Sequence, residues 1–265
     1  MKILKILTIV FITFFLASFG YFKKDAIACE LIGITHFNEV SPDFYVDQSI
    51  DTSKQVELSH AVESAFKRIS DIYGTPTSNP RIIATAETKY AKFGFNPTGM
   101  QNSGLFRECI FLGPKGLSTD VIAHELVHAE VRHRTNLFVE LTQLPAWFIE
   151  GTGIKADYRK PFLSENINVT NDDVARIKSV FYLNDFPNTN VKYYQASLIA
   201  VEPMNPKDMY SGLEKLNNGE QFEDVFNEFF QLLINIEILF NQHKNGSQPN
   251  ALGYFQQLTR CYECR

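Results

Sequence analysis

The chain has 265 residues, 45% of them hydrophobic, enough to bury a sizeable core in one or two domains. Its formal net charge of −5 and its pI near 5.7 leave no basic footprint, which argues against nucleic acid as a partner.

At the N-terminus, Lys2 and Lys5 precede an uncharged apolar run over residues 6–19. That run is shorter than the roughly 20 residues a membrane span needs, so residues 1–28 are expected to be a secretory signal or a short membrane anchor. Ala26-Ile27-Ala28 supplies an A-x-A cleavage site just before Cys29. Export is therefore expected, to the periplasm, the medium or the cell surface, with membrane contact only through an uncleaved anchor. The even set Cys29, Cys109, Cys261 and Cys264 agrees with an oxidising compartment. Cys29 with Cys109, plus a local Cys261 to Cys264 link, is one possible pairing.

Residues 34–47 read as short strands that turn at Pro42 and Asp43. A helix capped by Ser53 follows, with Val56, Ala61, Val62, Ala65, Phe66, Ile69 and Ile72 at helical spacing and an end at Gly74. His36 and His60 read as structural residues. Residues 80–86 form a strand, residues 93–104 a loop rich in Gly, Asn and Pro, and residues 105–112 a second strand that stops at Gly113-Pro114.

The next helix carries the chemistry. Ser118 or Thr119 caps it, Asp120 lies in its first turn, and Val121, Ile122, Leu126, Val127 and Val131 give it an apolar face. It contains His124-Glu125-Leu126-Val127-His128, the HExxH arrangement of zinc hydrolases. Residues four apart share a helix face, so both imidazoles can reach one metal ion. Glu125, one position round, falls where it can take a proton from water at the metal's open position. A tetrahedral site needs a third protein ligand, and Glu150 within Leu144-Pro145-Ala146-Trp147-Phe148-Ile149-Glu150-Gly151 provides it. The aromatic and aliphatic neighbours of Glu150 want to be buried and draw it inward.

Beyond Glu150 the chain is mainly helical. Asp172-Asp173 begin one helix, residues 193–201 form another, and residues 222–240 read as a long apolar core helix. Residues 241–265 form a polar linker and a Cys-containing tail, leaving 29–240 as the folded domain.

HELVH followed by LPAWFIEG resembles the gluzincin metallopeptidases, the thermolysin-like and aminopeptidase N-like group, in which HExxH precedes a W-[LF]-x-E-G segment carrying the third zinc ligand. The resemblance covers roughly residues 82–230, and a loop around Asn136 absorbs an interval slightly longer than in the best-known members. Tyr193-Tyr194-Gln195-Ala196-Ser197 is similar to the family's Y-x-[KQ]-[GS] segment, whose tyrosine stabilises the oxyanion; Tyr193 gives the better register and Tyr194 is the alternative. Gly219 to Phe226 also looks like the group's G-x-x-F-x-x-A-F segment. The GxMEN segment of aminopeptidases is missing, and Ile154 stands where thermolysin-like enzymes place an acidic partner for a histidine ligand.

The resemblance implies an α+β, zincin-like fold: a small mixed sheet with an edge strand over the HExxH helix, then a mainly helical part. The strand over residues 105–112 is the one expected to form the cleft edge and to pair with a substrate backbone. The implied activity is a secreted zinc metallopeptidase with one Zn2+ on His124, His128 and Glu150, Glu125 as base, Tyr193 or Tyr194 at the oxyanion, and a peptide or protein as substrate. A zinc-binding module without catalysis, and a zinc hydrolase of non-peptide amides or esters, are the alternatives.

Overall fold

A computed structural model describes residues 23–93 and 96–226. The apolar run at the N-terminus, the Cys261 and Cys264 pair, and most of the 222–240 helix read from sequence lie outside the described residues.

The described residues begin with helix α1 (Lys24–Leu31), strands β1 (Phe37–Ser41) and β2 (Phe44–Asp47), the long helix α2 (Thr52–Tyr73), and strands β3 (Arg81–Ala84), β4 (Gly99–Ser103) and β5 (Glu108–Leu112). Helices α3 (Thr119–Arg134), α4 (Leu137–Thr142), α5 (Ala146–Lys155), α6 (Asn171–Lys178), α7 (Val191–Val201) and α8 (Met209–Asn217) complete the described chain. The fold is α+β: a small mixed five-stranded sheet, then a mainly helical part.

The sheet order is β1-β2-β3-β5-β4, with β1 and β2 antiparallel, β2, β3 and β5 parallel, and β4 antiparallel to β5. Asp43 makes the tight turn between β1 and β2 at φ 60, a left-handed conformation that Asp tolerates better than most residues. The structure corrects the expected cleft edge. β5 is an interior strand, its residues Cys109 to Leu112 all buried between β3 and β4. The edge strand is β4, inside the segment read as a loop. Gly99-Met100-Gln101-Asn102-Ser103 lacks the β-branched residues that mark strands, and pairing with β5 overrides that weak propensity.

Register shows what this edge presents. Gly113 donates its N–H to the Thr98 carbonyl and Gly104 donates to the Arg107 carbonyl, so the even positions of β4 face β5. The odd positions, Gly99, Gln101 and Ser103, turn their backbone groups to the free side. The same odd positions place their side chains on α3, where Ser103 Oγ accepts from Arg132 Nε at 2.7 Å. A Cβ on Gly99 would come within 2.9 Å of a Glu125 carboxylate oxygen, so glycine is what lets the strand approach the helix this closely.

Helix boundaries follow their caps. Asp51, two residues before the expected Ser53, accepts from the Lys54 N–H at 2.9 Å and starts α2. Ser118 caps α3, Asn136 caps α4 and Asn190 caps α7. The interval between His128 and Glu150 is thus filled by a short capped helix. Arg68 of α2 ties the site helices together: its guanidinium reaches Asp120 at 2.6 Å and the Ala156 carbonyl at 2.9 Å, joining the start of α3 to the end of α5.

Cys29 of α1 is disulfide-bonded to Cys109 of β5, both fully buried. The 28/29 boundary read from sequence falls inside α1, whose Ala26 is buried. Among the described residues no helix is long and apolar enough to cross a membrane.

Gly151 sets the separation of α5 and α7, because an added Cβ would lie 2.4 Å from the Ser197 carbonyl oxygen. Gly151→Ala should lower the unfolding free energy by about 1–3 kcal/mol through overpacking, measured by urea denaturation.

Candidate metal site

α3 is buried on both sides, and its HExxH segment faces α5 across the head of a cavity of about 780 Å³. His124 and His128, one turn apart, hold their ring centroids 4.6 Å apart. Glu150 projects toward them from α5: its Oε2 lies 3.5 Å from His124 Nε2 and 4.0 Å from His128 Nε2. One ligand atom from each of the three lies within 4.8 Å of the others, so the group could hold a metal ion.

Two observations test that fit. His128 Nε2 is buried without a hydrogen-bond partner among the described residues, an arrangement that costs free energy unless a ligand or ion supplies the contact. Gly153, one turn past Glu150, leaves open the space beside both rings: a Cβ there would sit 2.8 Å from His128 Nε2 and 2.9 Å from His124 Nε2. Two imidazole nitrogens and a carboxylate oxygen converging on a cleared space suit a divalent transition metal.

The electrostatics are those of ionisable groups taken out of water. Burial drives His128 down to about 4, with the neighbouring His124 adding to the effect, so its imidazole is neutral and its lone pair free to ligate. Burial also opposes a charge on His124, but the Glu150, Glu125 and Asp157 carboxylates outweigh it and hold this histidine above its ordinary value. Burial would raise Glu150, and the two imidazoles reverse this, leaving it lowered. Glu125 is pushed up to about 7 by burial; His124 pulls it down and the Glu150 charge pushes it further up. The Gln101 backbone N–H donates to its carboxylate, linking the base candidate to the free side of β4.

The sequence left the partner of the histidine ligands unassigned; the carboxylate nearest His124 Nδ1 is Asp157, beyond hydrogen-bond distance, and Nδ1 has no hydrogen-bond partner among the described residues. Asp157 Oδ2 lies 3.7 Å from His124 Nδ1, on the face of the ring away from Glu150. The Asp157 side chain is completely buried and is gripped by Arg159, whose Nε is 2.9 Å from both carboxylate oxygens and whose Nη2 also bonds Oδ2. Asp157 stands seven residues after Glu150, past the end of α5, so helical periodicity gives no sign of it. The cue available is a carboxylate and an arginine two apart just after a buried helix.

Of the two tyrosines, Tyr194 lines the cavity. Its hydroxyl is held protonated, first by burial and then by the Glu150 and Glu125 charges. Tyr193 turns elsewhere and hydrogen-bonds Arg176. α7 starts at Val191, and its phase brings Tyr194, the alternative register, rather than Tyr193 to the cavity. Gln195 does not face the metal group; its side-chain amide donates to the Pro161 carbonyl at 2.7 Å and the Asn166 carbonyl at 3.0 Å, pinning the segment after α5.

Searches of family models, of curated proteins and of solved structures find no match to this chain.

If Asp157 orients His124, Asp157→Asn should weaken metal binding roughly ten- to a hundredfold with the fold retained. Chelator competition beside circular dichroism measures both.

Proposed function

We propose that the chain is an exported zinc metallopeptidase of the gluzincin type with a zincin-like fold. The observation that carries this reading is the convergence of His124, His128 and Glu150 with the Glu125 carboxylate beside them, at the head of a cavity whose wall is the free side of β4. An N2O donor set of this kind suits zinc, and the buried disulfide suits an oxidising compartment. Zinc held by the three ligands would act as a Lewis acid that makes water more acidic and polarises a carbonyl.

The chain's own groups supply the remaining steps. The outward N–H and C=O groups of Gly99 and Ser103, with the C=O of Gln101, take a peptide backbone as an added strand and lay its scissile carbonyl across the site. Glu125 removes the proton from the attacking water and returns it to the leaving nitrogen, so that C–N cleavage releases an amine. Tyr194 donates its hydroxyl hydrogen bond to the carbonyl oxygen as negative charge develops there. Asp157 fixes the ring orientation and tautomer of His124, and Arg159 fixes Asp157. The apolar wall of the cavity, including Val121, Ile149, Phe162 and Phe186, keeps bulk water from competing with these contacts.

The test is a fluorogenic peptide library with zinc-loaded wild type, Glu125→Gln, Tyr194→Phe and Tyr193→Phe. Glu125→Gln should bind zinc and lose on the order of a hundredfold or more in kcat. Tyr194→Phe should lose about a hundredfold, whereas Tyr193→Phe stays near wild type. Full activity in Glu125→Gln would remove the assigned base, and a large loss in Tyr193→Phe with none in Tyr194→Phe would invert the oxyanion assignment.

A further inference from the structure

Two cations line the main cavity, and they differ in how they are satisfied. Arg132, at the C-terminal end of α3, pairs with Glu140 of α4 and donates Nε to Ser103 Oγ, so it serves as a strut between β4, α3 and α4. Arg159 is bound from one side only. Asp157 takes its Nε and Nη2, while Nη1 has no hydrogen-bond partner among the described residues. The side chain keeps 37% of its surface exposed, and its guanidinium lies 5.4 Å over the Phe162 ring at the cavity wall. It is a positive charge fixed by a fully buried anion and turned toward the cavity that the metal ligands also line.

Its place along the cleft follows from the strand direction. β4 runs alongside α3 in the same sense, from Gly99 beside Val121 and Glu125 to Ser103 beside Arg132. An added strand antiparallel to β4, the stronger pairing, therefore enters by Arg132 and leaves past Gly99 toward the N-terminal end of α3. Arg159 belongs to that exit end: the charges that act on it, after Asp157, are Asp120 in the first turn of α3 and Glu125. A planar guanidinium anchored through two nitrogens keeps its outer edge available in a fixed orientation for an anionic oxygen.

We propose that Arg159 receives a substrate carboxylate on the leaving-group side of the scissile bond, so that the site selects peptides carrying a negative group there. The inference rests on the peptidase reading and names the substrate class for it. Two sources share the chemistry: the C-terminal carboxylate of a short product segment, which would release small fragments from peptide ends, and an acidic side chain, which would direct internal cleavage.

The experiment uses matched peptide pairs with zinc-loaded wild type, Arg159→Gln and Arg159→Lys. One pair differs by a free C-terminal acid against the amide, the other by Glu against Gln on the leaving side. The ratio of kcat/KM within a pair is the readout, because a loss of metal or of fold lowers both members together. Wild type should favour the carboxylate in one pair by about tenfold to a hundredfold, the worth of a charge-assisted hydrogen bond. In Arg159→Gln the ratio should fall to near one, and in Arg159→Lys it should recover in part. The responsive pair identifies the source. Equal rates within both pairs in wild type, or a ratio that survives Arg159→Gln, overturn the proposal while leaving the peptidase reading intact. Cleavage of no peptide at all overturns both.

Discussion

Burial of ionisable groups at the junction of α3 and α5 is the constraint on which the rest of the structure depends. His124, Glu125, His128, Glu150 and Asp157 are almost wholly removed from water. Charges placed in such a medium cost several kcal/mol each unless they are matched. The matching here is incomplete within the chain: Glu150 faces two imidazoles, and Nδ1 of His124 and Nε2 of His128 each have no hydrogen-bond partner among the described residues. The three ligand atoms lie close enough together that a cation held between them would complete the set.

The remainder of the fold serves that junction. Arg68 holds the start of α3 to the end of α5, and Tyr73 donates its hydroxyl to the Thr152 carbonyl at 2.6 Å, fixing α5 one helical step from Gly153. The fully buried Glu130 on α3 accepts the Thr77 N–H at 2.7 Å and the Arg134 Nε at 2.8 Å, anchoring the helix beyond its histidines. On the other side of Glu150, Trp147 and Phe148 pack against Phe222 and Phe226. The glycines at 99, 151 and 153 allow the strand, the neighbouring helix and the ligand rings to come close, each in place of a side chain that would collide.

What the sequence reveals and what it hides divide along a physical line. His124, Glu125 and His128 are readable because a helix converts a four-residue spacing into a shared face, and Glu150 because its apolar neighbours draw it into the core. Count and compartment make disulfides readable, but the pairing of Cys29 with Cys109 is one of three that four cysteines allow and is given by the structure. β4 is hidden because Gly99-Met100-Gln101-Asn102-Ser103 has no strand propensity of its own and owes its conformation to β5. Asp157 and Arg159 are hidden because they follow the end of α5, where the chain turns and no periodicity links them to His124. The choice between Tyr193 and Tyr194 depends on the phase of α7 against α5, a tertiary quantity. Local patterns thus carry the candidate metal ligands, and long-range packing carries Asp157, Arg159 and the edge strand beside them.

Anomalous scattering at the zinc absorption edge, from crystals of the zinc-loaded protein, tests whether His124, His128 and Glu150 hold the metal. Zinc on these ligands gives a single strong peak about 2 Å from His124 Nε2, from His128 Nε2 and from a carboxylate oxygen of Glu150, the distance expected of nitrogen and oxygen ligands to zinc. A peak on other residues, or none at these three, would contradict that placement.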